Sequence, residues 1–192
     1  MPVPMPAAEA PRPLVRDLVY CRIREEILNG QLEPGEKLND AELTAWLQVS
    51  RTPIREAIAM LAADGLIEME PNRYTRIPDR SPDAYRRAGE YMHMIRGFVL
   101  EHLDRVPARD LAEARRCVSD LLPRLREQDR DAKIVFDDEF GELAALIDNP
   151  LVTAAEQRVR SQAQFHLQHP DAAINWDNII THAEALTGPV HE

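Results

Sequence analysis

Cysteine is nearly absent from this chain: Cys21 and Cys117 are the only two among 192 residues. They form neither a disulfide framework nor a zinc-ligand pattern. The expectation is a reducing, cytoplasmic setting in which both pack as small hydrophobes. Aromatic residues make up only 5%, so a core has to be built from Leu, Ile, Val and Ala, as in helix-on-helix packing. No Gly-rich phosphate loop occurs, which argues against a nucleotide site of that kind. No apolar run approaches the ~18 residues of a membrane span. No nucleophile–base motif is visible, and neither an enzyme nor a cofactor is expected. Residues 1–13 lack the apolar centre of a signal peptide. Their five prolines predict a disordered leader.

What is present is an ordinary hydrophobic fraction of 44% and a net charge of −10. The length allows two small domains or one large one. Residues 14–80 carry nine basic and twelve acidic side chains, and the residues after Arg80 carry thirteen and twenty. Neither half would be drawn to a polyanion by its overall charge. Position has to supply what net charge does not. Arg51, Arg55, Arg73, Arg76 and Arg80 are expected to cluster with few acids among them.

Those arginines frame one stretch, Gln48 to Glu70, around which the rest is organised. Thr52 can cap a helix with Pro53 at its first position. Ile54, Ile58 and Leu61 recur at helical spacing, and Gly65 suits the position just past the helix end. Leu66 to Glu70 turns strand-like, residues 71–74 read as a turn, and Thr75-Arg76-Ile77 can return as a second strand. Upstream, Asn39 is a good N-cap with Glu42 three residues on. Leu43, Trp46 and Leu47 follow, and Gln48-Val49-Ser50 makes a turn. Leu14 to Asn29 reads as a first helix, with Leu14, Leu18, Cys21 and Leu28 on one face, Ile23 and Ile27 nearby, and Gly30 at its end. Helix, turn, second helix and two-stranded wing describe a winged helix-turn-helix, which lays its second helix in the DNA major groove.

Leu14 to Asp79 resembles the DNA-binding domain of the GntR family of bacterial transcription regulators, in its FadR-like branch. The resemblance rests on Ile27 to Leu32, Pro34-Gly35, Leu38, Leu43, Leu47, Val49 to Ala57, Leu61, Asp64-Gly65-Leu66 and Pro71-Asn72-Arg73. It implies that Arg51 and Arg55 touch DNA. Ser50 and Thr52 offer hydroxyls that can cap the helix, bind phosphate, or do both. Arg73 and Tyr74 would lie at the wing tip, where the family usually has Gly in place of Tyr74. Ala41 stands where many members carry an arginine.

The second half reads as helices only, after a linker at residues 79–83 in which Ser81 can cap with Pro82 at the first helical position. The stripes are Tyr85, Met92, Ile95, Val99 and Leu103; Leu111, Ala114, Val118, Leu121 and Leu125; then Phe136, Phe140, Leu143 and Ile147. Leu151 to His166 and Asn175 to Leu186 complete the set. Pro123 should kink or end its helix. The expected division is a leader at 1–13, a winged domain at 14–78 and a helical domain at 84–192. The fold class is mainly α, with an all-helical bundle following the winged domain.

This half resembles the FCD version of the helical effector domain of that branch. The resemblance implies a small carboxylate ligand, often held through a metal on one Asp and three His. Asp137 and Phe140 match the Asp-x-x-Phe-His pattern, but Gly141 stands at the histidine. Trp176 or Asp177 stands at the second histidine, and the third would lie beyond Glu192. His93, His102, His166, His169, His182 and His191 are expected in structural or surface roles, and no metal is expected. Arg96 matches an arginine facing the ligand cavity, with a surface salt bridge as the favoured competing reading. Effector-binding candidates are therefore Arg96 and Asp137. The functional expectation is a homodimeric, sequence-specific DNA-binding regulator reading a pseudo-palindromic operator. The alternative is a degenerate regulator acting through dimerisation without its own ligand site.

Overall fold

The computed structural model describes residues 14–70 and 73–188. The expected leader at 1–13, the turn residues Pro71 and Asn72, and His191 lie outside them. The chain divides into two compact units, the first ending at Pro78 and the second beginning at Asp79. It is mostly helical, with one two-stranded antiparallel sheet.

The first unit contains α1 (Val15–Leu28), α2 (Asp40–Leu47), α3 (Arg51–Ala63), β1 (Glu68–Glu70) and β2 (Tyr74–Arg76). Helix α3 is the centre: α1 and α2 both pack on it. Ile54, Ala57, Ile58 and Leu61 form its buried stripe. Each large member of that stripe stabilises by about 1.5–3 kcal/mol when removed from water. Gly65, at φ 75°, follows the C-cap Asp64. The N–H of Gly65 bonds to Ala62 O and that of Leu66 to Leu61 O, the paired closure that a left-handed residue permits. Tyr20 Oη donates to Asp64 at 2.7 Å, tying α1 to this helix end; burial and the neighbouring carboxylate push the Tyr20 pKa up.

Asn39 caps α2 by accepting from the N–H of Ala41 at 2.8 Å. Gln48 then takes a left-handed conformation at φ 54° and turns the chain toward α3. In the wing, Glu68 pairs with Arg76, Met69 with Thr75 and Glu70 with Tyr74. The segment before α2 runs along β2: Ile77 donates to Glu36 O and Leu38 to Thr75 O.

Two expectations need correction here. The buried face of α1 is Val19, Ile23 and Ile27, whereas Leu14, Leu18 and Cys21 are exposed. Helical spacing alone fits both sets; the β-branched row is the one that meets α3. Helix α3 begins at Arg51, not Pro53, so Thr52 is inside the helix and Ser50 is the N-cap, without a side-chain cap bond. Proline fits there because the first N–H groups of a helix have no intrahelical acceptor.

The second unit contains α4 (Pro82–Glu101), a 3₁₀ turn (Leu103–Arg105), α5 (Ala108–Arg126), α6 (Arg130–Leu146), α7 (Pro150–Leu167) and α8 (Trp176–Thr187). Ser81, Asp129, Asn149 and Asn175 cap α4, α6, α7 and α8 through their side chains. Helix α4 packs on α7, α5 on α8 and α6, and α6 on α7. Phe136, Phe140, Leu125 and Val118 are among the most buried residues of this core. Pro123 does not end α5, which continues to Arg126. It falls in the last turn, where little helix remains to be disrupted.

Candidate nucleic-acid interface and a buried charge cluster

Ser50, Arg51, Thr52 and Arg55 lie exposed on the N-terminal turns of α3, opposite the buried stripe. The helix start adds unpaired N–H groups and partial positive charge, a setting that favours phosphate. Arg51 makes no ion pair among the described residues. Arg55 extends outward, with 77% of its side chain exposed, and its Nε lies 3.6 Å from Asp40 on α2.

At the wing, Arg73 pairs with Glu70. Tyr74 is half-buried beneath Arg76, whose guanidinium sits 5.1 Å from the ring centre. Arg76 also holds Glu68 at 2.9 Å. Arg73 and Tyr74 line one groove with Asn39, Asp40 and Glu42. The expectation of few acids among the arginines therefore fails: acids neighbour Arg55, Arg73 and Arg76. Asp40 reaches Arg55 from the start of α2 and Glu68 reaches Arg76 across the β-pair, neither adjacent in sequence, whereas Glu70 lies only three residues before Arg73 and was legible from local spacing. Exposed ion pairs are worth only ~0–1 kcal/mol, weak enough for phosphate to displace them. Arg80 belongs to the second unit, where it donates to Gln168 and stacks 5.4 Å over Phe165.

The effector candidates of the second unit are brought together. Arg96 on α4 donates to Asp137 Oδ1 on α6, and Lys133, one turn earlier on α6, donates to Oδ2. The relative exposures are 4% for Arg96, 3% for Lys133 and 0% for Asp137. Arg96 is thus no surface salt bridge. Burial alone would raise the Asp137 pKa, but Lys133 and Arg96 more than offset it and hold the group below the usual carboxylate value. Lys133 escaped the sequence reading. Its signal was the Lys-x-x-x-Asp spacing on the apolar face of a helix, which joins two side chains across one turn.

A cavity of about 250 Å³ opens beside this pair, with Tyr85, His93, Arg96, Lys133, Asn175 and Asn178 on its wall. His182 lies under the same region, its ring 4.8 Å from that of His93. Burial lowers its pKa.

The donor set does not fit a metal held through Asp137. Both of its oxygens already accept from cations. At Gly141 there is no ligand atom, and an added Cβ would lie 2.7 Å from the Arg160 guanidinium carbon. Arg160 reaches that spot by pairing with Asp138. Its Nε also approaches Glu156 Oε1 at 2.8 Å, although not in line for a hydrogen bond. Glu156 is fully buried, and burial raises its pKa. No group of three or more His, Cys, Asp or Glu capable of holding a metal occurs among the described residues.

Residues 15–77 match the family model of bacterial regulatory proteins, gntR family. An uncharacterised HTH-type transcriptional regulator of Streptomyces ambofaciens is 32% identical over 90 residues, 47% of this chain and 37% of that protein. Another from Mycobacterium bovis is 30% identical over 138 residues, 71% of this chain and 52% of its own length. The chain thus spans about half or less of these relatives. The crystal structure of a putative GntR transcriptional regulator from Rhodococcus sp. RHA1 superposes with TM-score 0.62 at 21% identity. It covers 90% of this chain and 86% of that one, a likeness of fold. The first unit of this chain is a helix-turn-helix domain of the gntR family.

Proposed function

We propose that the chain is a sequence-specific DNA-binding transcription regulator that works as a homodimer in the cytoplasm. The observation that carries this reading is the exposed N-terminus of α3, with Ser50, Arg51, Thr52 and Arg55 on one surface of a domain matching the gntR model. Arg51 and Arg55 supply bidentate donors suited to guanine or phosphate. Ser50 and Thr52 supply hydroxyls, and Arg73 with Tyr74 forms the wing contact. Two such heads would read a pseudo-palindrome. The helical unit would be an effector domain of the FadR-like, FCD kind, with Arg96 on the wall of its ligand cavity and Asp137 behind it. A bound effector would shift the placement of the heads by differential affinity of about 1–3 kcal/mol.

A second reading has an observation of its own. Asp40, Glu68 and Glu70 neutralise three of the arginines near the proposed groove, which favours a regulator that acts through a partner rather than by strong DNA binding. Selection of bound sequences from random duplex DNA by the purified protein, at near-physiological salt, separates the two. An enriched inverted repeat supports the DNA reader. Absence of enrichment from folded protein overturns it in favour of the partner-dependent form.

A further inference from the structure

We infer that the outer face of α4 is where a second copy of this chain packs, antiparallel to the first about a two-fold axis at Met94. The inference deepens the homodimer reading above and rests on it.

Three observations converge. First, α4 carries two apolar stripes. The inner one, Tyr85, Ala88, Met92, Ile95 and Val99, is buried, and the helix packs on α6, α7 and α8. The outer one is Tyr91, Met94 and Phe98. Tyr91 is 39% exposed and Met94 64%, while Phe98 is half-buried. Steps of three and four residues set these side chains on one line, the spacing with which two helices share a seam. A single exposed apolar residue is ordinary; three in register along one helix form an unpartnered face. Beside that line, open space over Gly97 lets a partner backbone come close.

Second, the charges along this face complement a copy of themselves in one direction only. Arg87 lies seven residues before Met94 and Glu101 seven residues after it. Seven residues drift only ~20° around a helix, so both stand in line with Met94. Asp83 is shared by Arg86 and Arg87, and Glu90 pairs with Arg86. Glu101 is exposed and makes no ion pair among the described residues; Asp104 and Arg105 beyond it have opposite signs. A two-fold axis at Met94 sets each position before it against the equivalent position after it in the other copy, and does so twice. Arg87 then meets the partner's Glu101, Tyr91 meets the partner's Phe98, and Met94 meets the partner's Met94. A parallel pair would set Arg87 against arginine and Glu101 against glutamate.

Third, the competing face is self-repelling. The outer side of α6 exposes Val135 and Leu146. Leu146, however, borders a groove with Asp110, Glu113, Glu139 and Glu142 on its wall and no cation. A second copy of that face would bring like charges together.

The test is sedimentation velocity of the full chain over a concentration series, with the surface variants Arg87→Glu and Glu101→Arg. The wild type should sediment as a dimer. Each variant alone should raise the dimer Kd by about tenfold or more, because like charges then face each other at two symmetric contacts. An equal mixture of the two variants should recover the dimer, since both contacts again join opposite charges. The chain carrying both changes should recover it too. A fault within one folded chain would not be mended by mixing, so recovery reports on the interface alone. A dimer that neither variant weakens means that the copies meet through another face; that result, like a weakened dimer that the mixture does not recover, overturns the α4 assignment while the homodimer reading stands. A wild type that is monomeric at every concentration overturns the homodimer reading itself.

Discussion

Lys133 stands one helical turn before Asp137 on α6, and its ammonium donates to the carboxylate oxygen that Arg96 leaves open. Removal of the shared acid would leave two buried cations facing each other. Asp137→Ala is expected to cost about 3–5 kcal/mol, the range for breaking one side of a buried pair. The double variant Asp137→Asn with Lys133→Met should cost clearly less than the two single changes added together. Urea unfolding of the four chains supplies the cycle. Additive losses would mean that the two groups do not interact.

The pH dependence follows from the same pair. The Asp137 pKa is depressed in the folded chain, so its stabilisation is fully present above the unfolded value of about 3.9. It is lost as pH falls through the lower folded value. Asp137→Asn should flatten the stability curve on the acid side and nowhere else. Denaturation midpoints measured between neutral pH and the acid limb check this; an unchanged acid limb would remove Asp137 as a contributor.

Asp40 lies 3.6 Å from the Arg55 guanidinium, and under the proposed DNA-reading mode it would compete with DNA for that arginine. Arg55→Ala should weaken a selected operator by about 1–3 kcal/mol and relax preference at one base position. Asp40→Asn should act in the other direction, tightening DNA by releasing Arg55 and removing a like charge from the phosphate surface. Its cost at the first turn of α2 should be about 0.3–1 kcal/mol in stability. Fluorescence anisotropy against operator DNA decides it: Asp40→Asn binding no tighter than wild type would show that the pair has no grip on Arg55.

These variants show which features the sequence carried and which it could not. Helix α3 was legible because an apolar stripe, a closing Gly65 and a following wing agree with one another. On α1, Val19 was missed and Ile23 and Ile27 were placed only beside the expected face, because Leu14, Leu18 and Cys21 have the same period. Only packing on α3 separates the two. The surface salt bridge favoured for Arg96 failed because its carboxylate partner, Asp137, lies on another helix. Arg55 and Arg76 looked unopposed for the same reason, since Asp40 and Glu68 reach them through tertiary pairing.

Gly141 offers a sharper test of packing. Alanine in mid-helix gains about 0.5–1 kcal/mol over glycine, but its Cβ would meet the Arg160 guanidinium at 2.7 Å. Arg160 is flexible and can move. In moving it would leave the buried Glu156 without its nearest cation. The loss of a buried charge partner, about 1–3 kcal/mol at least, outweighs the helix gain, so Gly141→Ala should be net destabilising. In a Glu156→Gln background the same change should become neutral or stabilising. Calorimetric midpoints for the four chains would refute the account if Gly141→Ala destabilises equally in both backgrounds.

His166 ties the entry of the helical unit to its own fold. The ring Nδ1 accepts from the N–H of Ser81 at 3.2 Å, next to the hydroxyl that caps α4. Accepting there requires an unprotonated Nδ1. Burial, then the nearby charges of Arg80, Arg87 and His169, lowers its pKa below 6.5. A depressed folded pKa means that stabilisation is present above the unfolded value of about 6.5 and is lost as pH falls through the folded one. His182 is shifted the same way, so both histidines should make the unit less stable at pH 5.5 than at pH 7.5. His166→Asn presents an amide oxygen near the place of Nδ1 and does not titrate. It should remove part of that pH difference while keeping most of the stability at pH 7.5. Hydrogen exchange at the Ser81 amide gives the local readout. It should speed up in the wild type as pH is lowered, after correction for intrinsic rates, and stay level in His166→Asn. Identical protection profiles in the two chains would dismiss His166 as the group that holds this segment.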